Sequence, residues 1–121
     1  MNAQTERFTI TGPAGILEVA RDLAASPDGQ QRGTAIIAHP HPLFAGTMDN
    51  KVVQTLARAF VASGWTALRF NFRGVGGSAG SYDEGRGERD DFLAVVEQLA
   101  PEGSLALAGF SFGSFVMSHA L

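Results

Sequence analysis

Cysteine is absent from the 121 residues, which removes disulfides, thiolate metal sites and cysteine nucleophiles together. No apolar run approaches the roughly 20 residues that a helical membrane span requires. The opening residues, MNAQTERFTI, lack the basic-then-apolar layout of a secretion signal. The expectation from these absences is a cytoplasmic protein without a membrane partner. A surplus of positive charge is missing too: the formal net charge is -3, which gives nucleic acid or anionic lipid no electrostatic reason to bind. Charged residues make up only 17% against 45% apolar ones, the balance of a chain that packs a core. No linker and no internal repeat divides the sequence, so residues 1–121 are read as one modest domain.

What is present is glycine, 15 in all, set between segments of differing hydrophobic period. Arg7 to Thr11 and Ile16 to Leu23 flank Gly12-Pro13-Ala14-Gly15, which predicts an antiparallel hairpin. Ser26-Pro27-Asp28-Gly29 is a second turn signal. Thr34 to Ala38 (TAIIA) is a continuous apolar run, the pattern of a strand buried on both faces. From Met48 to Ser63 the period becomes helical, with Val52, Val53, Leu56, Ala57, Phe60 and Val61 on one stripe. Thr47 is the expected N-cap of this helix and Gly64 its C′ residue.

Trp65 to Phe70 reads as a strand, followed by a glycine-rich loop from Arg73 to Gly87. A second helix is predicted with Phe92, Val95, Val96 and Leu99 on one face; Asp90 and Asp91 suit its positive N-terminal end, and Pro101 stops it. Ser104 to Ala108 (SLALA) is a further buried strand, and Phe112 to Leu121 opens another helix. Strands alternating with crossover helices predict an α/β fold with parallel βαβ units, entered through the hairpin.

The strand SLALA runs directly into Gly109-Phe110-Ser111-Phe112-Gly113, a G-x-S-x-G motif with a helix behind it. Strand, sharp turn and helix are the setting of a nucleophile elbow. A serine on such a turn adopts a strained backbone, and the residues two before and two after it are pressed together, so only glycine fits there. In return the hydroxyl stands clear beside the free amides of a helix N-terminus. The bland alternative is an ordinary tight turn whose glycines let a helix pack on a strand.

After TAIIA comes His39-Pro40-His41-Pro42-Leu43-Phe44-Ala45-Gly46-Thr47, where two prolines end the strand and stiffen the loop. Only His39 and His41 keep a backbone N–H within HPHP. An oxyanion hole takes one donor from the residue after the nucleophile, here Phe112, and one from the loop after the third strand.

Three segments in order, IIAHPHPLFAGTMDNKVVQTLARAF, LRFNFRGVGGSAGSYDEG and LALAGFSFGS, resemble bacterial α/β-hydrolases of the dienelactone-hydrolase and serine-aminopeptidase-like kind. The resemblance implies an incomplete α/β-hydrolase fold: a mostly parallel sheet entered through an antiparallel hairpin, with helices on both faces. It implies Ser111 as nucleophile and the amides of His41 and Phe112 as oxyanion donors, with Gly109 and Gly113 as the elbow glycines. Asn71-Phe72-Arg73-Gly74-Val75-Gly76-Gly77-Ser78 matches a family loop that often reads Asp-x-Arg-Gly-x-Gly-x-Ser, with Asn71 in place of the aspartate. Pro40 stands where the family's His-Gly-x-Pro loop has glycine. The side chains of His39 and His41 are read as hydrogen-bonded loop groups rather than proton carriers.

The family's triad runs Ser, then Asp or Glu, then His along the chain. Ten residues follow Ser111, with no carboxylate and one histidine, His119. Eight helical positions separate it from Ser111, a rise of about 12 Å, too far for a hydrogen bond. Asp49, Asp83, Asp90 and Asp91 are read as helix-start or loop charges. The expectation is therefore a serine hydrolase of ester-type or related acyl bonds that stops before its acid and histidine, inactive by itself. Its SLALA strand would be an exposed edge open to pairing with another chain. No cofactor and no metal is called for; the partner is a small acyl substrate.

Two rivals stand beside this reading. Gly74-Val75-Gly76-Gly77-Ser78-Ala79 fits a dinucleotide-binding G-x-G-x-x-A, but polar loop rather than a helix follows it. The other rival is a non-catalytic remnant or interaction module that keeps the hydrolase frame. The residues do not separate ester, thioester, lactone and peptide substrates.

Overall fold

Residues 4–25 and 31–120 are described by the computed structural model. In chain order they form β1 (Glu6–Gly12), β2 (Gly15–Asp22), β3 (Gly33–Ala38), a 3-10 turn (Pro42–Phe44), α1 (Lys51–Ala62), β4 (Trp65–Phe70), α2 (Arg86–Leu99), β5 (Leu105–Gly109) and α3 (Phe112–Ala120). The Ser26–Gly29 turn signal and Leu121 lie outside the described residues.

The five strands make one sheet in the order β1-β2-β4-β3-β5. β1 and β2 form the expected hairpin, and β2 joins β4 antiparallel, with Ala20 opposite Arg69. β4, β3 and β5 are mutually parallel, Ile36 facing Leu68 on one side and Leu107 on the other. The sheet is thus mixed, antiparallel where the hairpin enters and parallel across the βαβ units.

β3 sits inside the sheet with a helix layer on each face, so Ala35, Ile36, Ile37 and Ala38 are all fully buried. Successive side chains point to opposite faces. Ile36 and Ala38 join Leu17, Val19, Leu68, Phe70 and Phe72 under α2 and α3, where Phe92, Val95 and Val116 complete the larger core. Ile37 and Ala67 face the other way and meet Val53 and Ala57 of α1.

α1 begins later than the sequence pattern suggests. Its N-cap is Asn50, not Thr47: the Asn50 carboxamide oxygen accepts from the amides of Val52 (2.9 Å) and Val53 (3.3 Å). Thr47 instead caps the short turn before it, its hydroxyl accepting from Asp49 N at 3.1 Å. Gly64 follows the Ser63 C-cap, as expected for C′.

α2 begins four residues ahead of Asp90, and its start is held by Glu88, whose carboxylate accepts from Asp83 N (2.8 Å) and Gly85 N (3.0 Å). Asp91 is therefore in the second turn, away from the helix end, and is fully buried. None of the described helices is long and apolar enough to cross a membrane.

Candidate functional site

β5 ends at Gly109 and α3 starts at Phe112, so Phe110 and Ser111 alone turn the chain from strand to helix. Ser111 takes φ +59°, a left-handed conformation that costs a non-glycine residue roughly 1–3 kcal/mol. The packing explains why no relaxed turn replaces it. A Cβ on Gly109 would lie 2.6 Å from Ser114 N and 2.8 Å from Gly113 O. A Cβ on Gly113 would run into the Ala38 carbonyl and sit 2.7 Å from His39 O. The two glycines thus let β5, α3 and the end of β3 close on one another. Phe110 N donates to Ala38 O (3.3 Å), and Phe115 N donates to Ser111 O (3.2 Å), opening the helix. Ser111 is exposed, while Phe112 turns back into the core.

At the end of β3 the HPHP loop lies against the same corner. His39 is fully buried; Phe72 N donates to its Nε2 at 3.0 Å, so the ring proton sits on Nδ1, 2.6 Å from Pro40 O. Burial pushes the His39 pKa down to about 4, with the Pro40 hydrogen bond opposing it in part. This imidazole is a neutral strut between two loops.

His41 caps the 3-10 turn. Its Nδ1 accepts from Leu43 N at 3.1 Å, and its carbonyl accepts from Phe44 N and Gly46 N, both at 3.0 Å. The His41 ring centroid is 4.7 Å from that of Phe112 and 5.1 Å from that of Tyr82. His41 Nε2 is 3.1 Å from the Tyr82 hydroxyl. Among the described residues, neither the His41 nor the Phe112 backbone amide donates a hydrogen bond.

The glycine-rich loop between β4 and α2 is turned against the hairpin. Glu18 Oε1 accepts from Asn71 Nδ2 (2.6 Å) and Gly77 N (2.9 Å). Ser78 Oγ accepts from Glu18 N (2.9 Å) and donates to Asn71 O (2.6 Å). Asn71 Oδ1 accepts from Met48 N at 2.8 Å, tying in the segment before α1. A carboxylate thus already sits on this loop's amides, and no helix opens there, which removes the geometric basis of a dinucleotide-phosphate reading.

Arg73 reaches α2. Its Nε and Nη2 bind Asp91 at 3.1 and 2.8 Å, and its backbone N donates to the same carboxylate at 3.0 Å. The Asp91 hydrogen bond, more than its charge, raises the Arg73 pKa, against the opposing effect of burial. A side chain on Gly87 would collide with this guanidinium. Asp91 is therefore a clamp for the loop rather than a helix-start charge. Asp49 has a similar office: it binds Arg7 and the buried Arg69, each at 3.1 Å. Burial alone would raise the Asp49 pKa, but Arg7 and then Arg69 outweigh it and hold the carboxyl below its ordinary value.

Ser111, Phe112, Gly109, Gly113 and His41 accordingly gather at one corner, where the ends of β3 and β5 meet the start of α3. His119 is exposed on α3 with its ring 4.4 Å from that of Phe115. Among the described residues, no group of three histidine, aspartate or glutamate side chains could hold a metal. Sequence reasoning missed Tyr82 and the Arg73–Asp91 clamp. Both join residues far apart in sequence, which leaves no local period to read; the only signal is an arginine and a single tyrosine inside a glycine-rich loop.

The chain is similar in structure to an α/β serine hydrolase without lid from Xanthomonas campestris, 48% identical, with a TM-score of 0.89 over 99% of this chain and 56% of that one. A homologue of α/β serine hydrolases from Coxiella burnetii is 47% identical, with a TM-score of 0.87 over 98% of this chain and 57% of that one. An uncharacterized protein of Rickettsia prowazekii is 42% identical over 109 residues, 87% of this chain and 44% of that protein. The chain therefore spans about half the length of the proteins it matches. No protein-family model matches it.

Proposed function

We propose that this chain, an α/β-hydrolase in fold, carries the nucleophile and oxyanion amides of a serine hydrolase acting on ester-type or related acyl bonds. The observation that carries the reading is Ser111 itself: an exposed serine at φ +59° between a parallel strand and a helix, closed in by two glycines that admit no side chain. A strained backbone at such a point is explained by what it presents.

In this reading Ser111 Oγ attacks the substrate carbonyl, and its proton passes to a base. The carbonyl oxygen becomes an oxyanion held by the amides of His41 and Phe112. The tetrahedral intermediate collapses, the C–O or equivalent bond breaks, and the protonated leaving group departs. Water then attacks the acyl-enzyme and Ser111 is regenerated. The unengaged amides of His41 and Phe112 support this assignment.

The base is not assigned to the histidines of this corner. His39 uses both ring nitrogens, and so does His41. The reading gives the acid and histidine to sequence outside these 121 residues, in keeping with relatives about twice as long. Leu43, Phe44 and Phe110 are exposed, which favours an apolar acyl group at the site.

The test is a fluorophosphonate probe on the protein as its gene encodes it. Labelling of the wild type at Ser111, lost in Ser111→Ala, is the expected result. A correctly folded wild-type protein that takes no label overturns the hydrolase reading and leaves a non-catalytic frame.

A further inference from the structure

We infer that Tyr82 is a positioning residue that fixes the loop presenting the His41 amide. The inference rests on the hydrolase reading above and names a group outside both the HPHP loop and the G-x-S-x-G turn.

The chemistry follows from the two hydrogen bonds on one imidazole. Leu43 N–H can only donate, so His41 Nδ1 is the acceptor and carries no proton. The neutral ring then has its proton on Nε2, which donates to the Tyr82 oxygen 3.1 Å away. Leu43 N–H thereby fixes the tautomer, and the Tyr82 hydroxyl, able to accept, takes the Nε2 proton and holds the ring in the orientation that caps the 3-10 turn. The opposite tautomer, with Nδ1 protonated, would set two donors against each other at Leu43. The tyrosine hydroxyl is thus coupled to the backbone of the HPHP loop through the ring between them.

Three loops meet at this ring. His41 comes from the loop after β3, Tyr82 from the loop before α2, and Phe112 from the elbow, with Tyr82 and Phe112 centroids 5.9 Å apart. Phe44 closes the fourth side at 4.9 Å from His41. Tyr82 is itself held from behind, since Asp83 N and Gly85 N bind the buried Glu88 carboxylate. A rotation of the His41 ring would release the Leu43 N–H and loosen the turn that carries the His41 amide. An oxyanion donor loses much of its effect on small displacements. Ring packing alone does not pin the position of Nε2; the hydrogen bond to the hydroxyl does.

Tyr82→Phe keeps the ring against Phe112 and deletes only the hydroxyl. Two measurements on the protein as its gene encodes it separate the outcomes. The first is amide hydrogen exchange at Leu43 with 15N chemical shifts of the His41 ring. The expected result is a protected Leu43 amide and a protonated Nε2 in the wild type, with Leu43 protection falling about tenfold in Tyr82→Phe as the ring loses its second anchor.

The second is the rate of Ser111 labelling by a fluorophosphonate, together with kcat and KM for p-nitrophenyl butyrate. The expected result is a fall of about tenfold in labelling and kcat with KM little changed, because the donor acts on the transition state. Normal wild-type labelling with an unaltered Tyr82→Phe rate and unaltered Leu43 protection overturns the role of Tyr82 and leaves the hydrolase reading intact. A wild type that takes no label overturns the hydrolase reading, and the oxyanion purpose of Tyr82 falls with it.

Discussion

Position 111 shows how a single residue can be held in a costly conformation. Serine at φ +59° is strained by its Cβ, and alanine there has the same Cβ and the same strain. Glycine does not. Ser111→Gly is therefore expected to be more stable than Ser111→Ala by about 1 kcal/mol, read from urea unfolding midpoints. Equal midpoints would mean that the backbone at 111 relaxes once the hydroxyl is gone. Both variants lack the hydroxyl, so the comparison isolates strain from chemistry. The contrast with Gly113 is instructive, because there the restriction comes from neighbours: the Ala38 and His39 carbonyls occupy the space of a side chain. One residue is strained by its own Cβ, the other is required by what it touches.

At the scale of elements, helix α1 offers a direct check on which residue caps it. Asn50→Ala removes the acceptor for two otherwise unpaired amides and is expected to cost about 1 kcal/mol, whereas Thr47→Ala should cost a few tenths. A larger loss at Thr47 would reverse the assignment. The same comparison marks what was legible beforehand. Strand β3 and the elbow could be read because burial on both faces leaves an apolar run in TAIIA, and because G-x-S-x-G is a local constraint. Thr47 was the natural cap by residue type; the extra turn from Thr47 to Asn50, closed by Asn50 N on Thr47 O at 3.1 Å, has no apolar signature. The start of α2 was hidden for a related reason: Arg86 and Gly87 look like loop, and a glycine stands inside the helix because Arg73 needs the room. Asp91 and Asp49 were misread as local charges because their partners, Arg73 and Arg69, come from other elements. Elements follow from periodicity, whereas the polar ties that orient loops around Ser111 arise only once the chain is folded.

For the molecule as a whole, the buried histidine between β3 and the β4 loop couples folding to pH. His39 has an ordinary pKa of 6.5 in the unfolded chain and about 4 in the folded one, so the folded state disfavours its charged form. Its neutral form is common to both states above pH 6.5, where its contribution to stability is fully present. As pH falls from 6.5 towards 4 the unfolded chain binds a proton that the folded chain refuses, and stability drops; below 4 both are protonated and the loss is complete, at about 3 kcal/mol. Asp49 also has a depressed pKa, but its contribution is lost only as pH falls below the ordinary carboxylate value of 3.8, a separate and lower window. His39→Gln keeps an acceptor for Phe72 N without a titrating group. It should flatten the urea midpoint between pH 6.5 and 4 relative to wild type, while leaving the Asp49 decline below 3.8 in place. Parallel curves for the two proteins across that interval would mean that His39 titrates alike in the folded and unfolded chains. The ring would then not be sealed between Pro40 and Phe72, and the strut that holds the HPHP loop beside the elbow would be gone.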